Sequence, residues 1–127
     1  EETMDKVYIE SALRPEGHYS PAVSDGKYIY VSGQLPIDPF TGEACRGGVA
    51  EQTRRVLENI RLVLRAAGSS PEKVLRSTVY VSDIGHWDEV NSIYAEFFGA
   101  HRPARSIVPV SRLHHGFEIE MDAIAEV

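Results

Sequence analysis

The C-terminal end of the chain alternates: Phe117, Ile119, Met121, Ala123 and Ala125 are apolar or small, and Glu118, Glu120 and Asp122 stand between them. Successive side chains leave a β-strand on opposite sides, so this pattern is a strand with one face in a core and the other face acidic. Such a strand needs a sheet to join and a layer to cover its apolar face. With 127 residues the chain has room for one core, so sheet and cover belong to one domain, residues 1–127.

The cover is two predicted helices. Over 49–67 the residues Val56, Leu57, Ile60, Val63, Leu64 and Ala67 recur at helical spacing, and Gly68 supplies a stop. Over 87–98 Trp87, Val90, Tyr94, Phe97 and Phe98 form a second stripe, which ends at Gly99. Strand patterns occupy 6–10, 28–32 after an Asp25-Gly26 turn, 75–82, 105–110 and 117–125. The order β-β-α-β-α-β-β, with helices striped on one side only, predicts an α+β fold: a mixed sheet with two helices on one face. The other face then carries Tyr28, Tyr30 and Ile124 with no helical cover, which predicts a homo-oligomer.

Thirteen Lys and Arg against nineteen Asp and Glu give −6, so no chain-wide positive field draws phosphates, and nucleic acid is not an expected partner. The single Cys45 cannot pair internally, and no CxxC or CxxH spacing builds a zinc site. No apolar run approaches the ~20 residues of a membrane span. The start Glu1-Glu2-Thr3-Met4-Asp5 lacks the basic and apolar regions of a signal peptide. A cytoplasmic location, no membrane and no metal are the resulting expectations.

Few residues point to chemistry by themselves. Arg102-Pro103-Ala104-Arg105-Ser106 places a guanidinium at a strand start, where its planar fork suits a carboxylate; from composition alone a surface arginine paired with a nearby acid is the more economical account. Glu118, Glu120 and Asp122 form a row suited to acid–base work, although a solvated sheet face explains at least two of them. His114-His115-Gly116 is a polar turn, not a ligand pair, since adjacent residues of an extended chain face opposite ways. Ser32-Gly33-Gln34 ends a strand with a glycine that permits either a turn or close approach of a ligand. Motifs for nucleotide binding and serine hydrolysis are missing.

In combination these pieces resemble a family. Gly17-His18-Tyr19-Ser20-Pro21-Ala22-Val23, Ser32-Gly33-Gln34-Leu35-Pro36 and Asp38-Pro39-Phe40-Thr41-Gly42 come first, then Gln52, Asn59 and Ala66-Ala67-Gly68. Thr78-Val79-Tyr80-Val81-Ser82-Asp83, Val90-Asn91-Ser92-Ile93-Tyr94, Arg102-Pro103-Ala104-Arg105-Ser106 and Glu118-Ile119-Glu120 follow before Ala123-Ile124-Ala125. Order and spacing resemble the RidA/YjgF (L-PSP) family of reactive imine deaminases from about Gly17 onward. The resemblance implies a chorismate-mutase-like fold, a homotrimer with clefts between subunits, and hydrolysis of enamine/imine intermediates to 2-keto acids and ammonia without a cofactor. It places the substrate carboxylate on Arg105 and a water on Glu120, with Tyr19, Ser32, Gly33, Asn91 and Ile107 lining the cleft.

The chain departs from the family's usual pattern at His18 and Pro21, at Ile107 where a small or thiol residue is common, at Arg102, and at Leu113-His114-His115-Gly116 in place of Leu-Pro-x-Gly. Two other functions stay open at this point. One is a non-catalytic module binding a 2-keto acid or similar carboxylate. The other, disfavoured by the charge of three copies at −6 each, is an L-PSP-type endoribonuclease or translation inhibitor.

Overall fold

The structure is a computed structural model that describes residues 4–127, so Glu1-Glu2-Thr3 of the acidic start lies outside the described residues. Strands β1 (Asp5–Val7), β2 (Ala22–Ser24) and β3 (Tyr28–Gln34) precede helix α1 (Val49–Ala66). Strand β4 (Val74–Val81), helix α2 (Trp87–Phe98), β5 (Ala104–Pro109) and β6 (Ile119–Glu126) follow. They form one six-stranded sheet in the order β1-β2-β3-β6-β4-β5, antiparallel except for the β4–β5 pair. The single parallel pair follows from α2, since only a crossover returns the chain in the same direction.

The predicted mixed sheet with two helices is what the chain forms, with one strand more than the sequence pattern predicts. Strand β2 is three residues long, too short for an alternation to show. It exists because the Asp25-Gly26 turn folds it onto β3: Asp25 Oδ1 accepts from the amides of Lys27 at 3.0 Å and Tyr28 at 2.8 Å, and Gly26 has φ +92°. At the other end, β1 stops at Val7 instead of running to Glu10.

Register decides which side chains share a face. Ile29, Val31, Ala125, Ala123, Met121, Ile119, Val79 and Val81 turn to the helices and are buried with Val56, Leu57, Ile60, Val63 and Leu64 of α1. Removing so much apolar surface from water is the main stabilising term, at about 25 cal/mol per Å². The opposite face has no helix. Tyr30 is 42% exposed there, and Tyr28, Ile124, Tyr80 and Val108 lie on the same face with partly open surface. Among the described residues, no helix is long and apolar enough to cross a membrane.

Candidate functional site

Arg105 lies on edge strand β5. It pairs in register with Ser77, and Ile107 pairs with Val79, so both side chains project toward the helix-covered face. There α2 meets the guanidinium with one stripe at i, i+4 and i+7. Asn91 Oδ1 accepts from Nη1 at 2.9 Å, and the rings of Trp87 and Tyr94 lie 5.5 and 4.7 Å from the guanidinium carbon. Tyr94 is itself fixed by a 2.7 Å bond to Ser77, and burial pushes its phenol up, against the pull of Ser77 and Arg105. Among the described residues no carboxylate forms an ion pair with Arg105. The surface-arginine account therefore fails: the group is held in place by neutral partners, and its positive charge stays available to an anion.

Glu120 is built differently. It pairs with Tyr80 across β4 and β6, which puts its half-buried side chain on the face without helices. The β3–β6 register slips by one residue between Val31 and Gln34, a bulge that frees Ser32 and Gly33 from the ladder. The Glu120 carboxylate lies over Gly33, where any Cβ would collide with Oε2. Close approach, not a turn, is what requires glycine here. Burial, then Asp122, push the Glu120 carboxyl up, and His114 pulls it down. The other two acids of the row are engaged elsewhere: Glu118 accepts from the Ser82 hydroxyl and pairs with His86 at 3.3 Å, and Asp122 accepts from the amide of Thr78 and the hydroxyl of Tyr80.

The remaining sequence-predicted residues divide between these two places. Ser32 donates its hydroxyl to the carbonyl of Ser20 at 2.7 Å and its amide to Pro21, which ties the 18–21 segment to the bulge. Tyr19, 53% exposed, and Gly33 border a cavity of about 450 Å³ that His114 also lines. Tyr19, Ser32, Gly33 and Glu120 thus form one group, and Arg105, Asn91 and Ile107 form another. The groups emerge from opposite faces of one sheet, with β4 between their strands.

Several positions carry more than the sequence suggests. Trp87 and Tyr94, read there as core stripe, hold the guanidinium; a stripe that continues onto an Asn at i+4 was the available signal. Gln52 and Asn59 are buried polar clamps. Asn59 donates to the carbonyls of Leu35 and Ile37 at 3.0 and 2.8 Å, fixing the segment after Gly33, and Gln52 accepts from the amide of Glu118, fixing the start of β6. His114 and His115 do not lie on an extended chain. They occupy a tight turn, His114–Gly116, in which His115 has φ +60° and the two rings meet tilted at 41° with centroids 3.8 Å apart. No group of three or more His, Cys, Asp or Glu able to hold a metal stands among the described residues.

The chain matches the family model described as Endoribonuclease L-PSP over residues 9–127. A RutC family protein of Pyrococcus abyssi is 47% identical to it over 119 residues, 94% of each chain. The human 2-iminobutanoate/2-iminopropanoate deaminase is 40% identical over 109 residues, 86% of this chain and 80% of the human one. Escherichia coli TdcF, in a crystal structure with bound serine, superposes with a TM-score of 0.90 at 33% identity, covering 97% of this chain and 98% of TdcF. Motif order, fold and these likenesses agree, and the chain belongs to the L-PSP family, also called RidA/YjgF.

Proposed function

We propose that the protein is an enamine/imine deaminase that hydrolyses small 2-imino acids to 2-keto acids and ammonia in clefts between the copies of a homotrimer. The observation that carries this is Arg105, a guanidinium oriented by Asn91, Trp87 and Tyr94 and paired with no acid among the described residues. The deaminase name of the human relative and the serine in TdcF, an amino acid with a carboxylate, favour the same ligand chemistry. A cleft between copies answers the division of the site, since a second copy brings its Glu120 face to the first copy's Arg105. The open apolar face around Tyr30 is the surface such an assembly would cover.

In that cleft Arg105 takes the carboxylate in two parallel hydrogen bonds and sets the imine carbon beside Glu120. The imine reacts in its protonated form, C=NH2+: water bonds to that carbon as the C=N pair moves to nitrogen, leaving a neutral NH2, and a water proton passes to Glu120. Glu120 returns the proton to nitrogen; the C–N pair then leaves with ammonia while the hydroxyl proton of the carbinolamine goes back to Glu120. Ammonia takes up that proton. Keto acid and ammonium are the products, and the carboxylate is regenerated. The guanidinium near the reacting carbon favours the attack electrostatically.

The test is a coupled assay on imines released by an amino-acid dehydratase. Arg105→Ala is expected to lose at least about a hundredfold in rate, consistent with a charge-assisted pair; full activity in that variant refutes the proposal. The serine bound to TdcF also favours a second function, carboxylate binding without catalysis. Calorimetry giving tight 2-keto acid binding by a protein that does not accelerate imine hydrolysis would decide for that one.

A further inference from the structure

Helix α2 joins two parallel strands, so it runs against the direction of both β4 and β5. Its level along the strands is fixed where the Tyr94 hydroxyl meets Ser77 at 2.7 Å, since Ser77 is the residue in register with Arg105. From that level Trp87 lies seven residues toward the helix start, about 10 Å away. Ile107 lies two residues along β5 in the same direction, about 7 Å away. The Arg105 guanidinium, bonded to Asn91 midway along this stretch of helix, therefore reaches up the strand toward both of them. Beside it stand an apolar ring from α2 and an apolar side chain from β5.

The two are not equally covered. Tyr94 is buried beneath the guanidinium and Ile107 is half-buried against the core, whereas Trp87, the single tryptophan of the chain, is 38% exposed. A large ring left this open beside an oriented cation is apolar surface that a ligand can cover, and each Å² removed from water favours binding. A carboxylate in two parallel bonds with a guanidinium lies in the plane of that group, so the carbon chain it carries extends past these walls. A methyl group covers little of either wall; a chain of four carbons covers a ring face. Neither wall offers a charge to an ionised side chain.

We propose that Trp87, with Ile107, determines the specificity of the Arg105 site, and that the substrates it selects are 2-imino acids with apolar side chains of about four carbons in preference to those with a methyl group. The inference rests on the binding of the substrate carboxylate by Arg105 proposed above.

Calorimetry on the full chain tests it without turnover, by comparing pyruvate with 4-methyl-2-oxopentanoate, the 2-keto acids that carry a methyl and an isobutyl side chain. The unaltered protein is expected to bind the second at least about tenfold more tightly. Trp87→Ala weakens both, because the ring also holds the guanidinium, but it lowers that preference to about twofold or less. Trp87→Phe keeps a ring and most of the preference, and Ile107→Ala lowers it by about threefold. Should Trp87→Ala fail to fold, the emission of Trp87 in the unaltered protein decides: at saturation it moves to shorter wavelength with 4-methyl-2-oxopentanoate and less with pyruvate. No binding or no preference in the unaltered protein overturns the inference, as does a preference that survives Trp87→Ala or an emission that does not move. An equal loss for both acids in Trp87→Ala, with the preference intact, would leave the ring a support of Arg105 only. If the preference depends on Trp87 but the protein hydrolyses no imine, the deaminase function falls and the wall stands as the selectivity of a carboxylate-binding site.

Discussion

The Arg105 and Glu120 regions handle one problem, keeping a charge usable at a partly buried site, in opposite ways. Arg105 is surrounded by neutral groups, an amide oxygen and two ring faces, that orient the guanidinium without neutralising it. Glu120 is set against backbone at a bulge, beside a like charge, so that burial and repulsion raise its proton affinity. The first arrangement suits holding an anion; the second suits exchanging a proton. The two lie on opposite faces of the sheet, and under the proposed function each chain would contribute one of them to a cleft shared with a second copy.

The largest effect tests that division. Arg105→Ala and Glu120→Gln should each abolish hydrolysis, yet co-expressed they should regain about a quarter of the unaltered activity, because random mixing leaves that share of interfaces with both native groups. Mixed assemblies with no recovery would show that both residues serve a site within one chain. Next, Gly33→Ala should reduce the rate by about a hundredfold by displacing the carboxylate, while leaving 2-keto acid affinity at Arg105 within about twofold. Equal losses in rate and affinity would mean that Gly33 supports the whole cleft and not the Glu120 side. Asn91→Ala, on the other side, should weaken 2-keto acid binding by about tenfold, the worth of one orienting hydrogen bond, read by calorimetry.

The smallest effect concerns the Ser82–Glu118–His86 clip between the two regions. The Ser82 hydroxyl, and secondarily His86, hold the Glu118 carboxyl below the usual carboxylate range. A depressed folded-state value stabilises the fold above the unfolded-state value, and that contribution is lost as pH falls through the folded-state value. Glu118→Gln should therefore melt slightly lower than the unaltered protein at pH 7, with the difference vanishing in acid. A deficit that persists in acid would assign the clip to packing instead of charge.

Much of the fold is legible in the residues. The alternation predicted over 117–125 is strand β6 from Ile119 onward with the same residues inward, Phe117 and Glu118 lying just before it, and both helical stripes are helices with glycines of positive φ just beyond their ends. Strand β2 was not legible, because three residues carry no periodicity and a turn places them. Among site residues, Arg105 and Glu120 could be found only by resemblance, since an arginine at a strand start and an acid on a strand face are common where they do nothing chemical. Trp87 resembled core because helical spacing marks a face without saying what that face meets; it is 38% exposed beside a guanidinium.

Local rules, the period of two, the period of 3.6 and the turn residues, are properties of neighbouring residues, and by them the sequence alone determined five of the six strands, both helices, the single core and the uncovered face. Tertiary structure decided which side of the sheet each polar group faces. That depends on pairing register between strands distant in the chain, 77 with 105 and 80 with 120, and on a one-residue bulge at Ser32-Gly33. A slip of one residue in either pairing would exchange the faces and move Arg105 or Glu120 to the other side, and no short window of sequence records it.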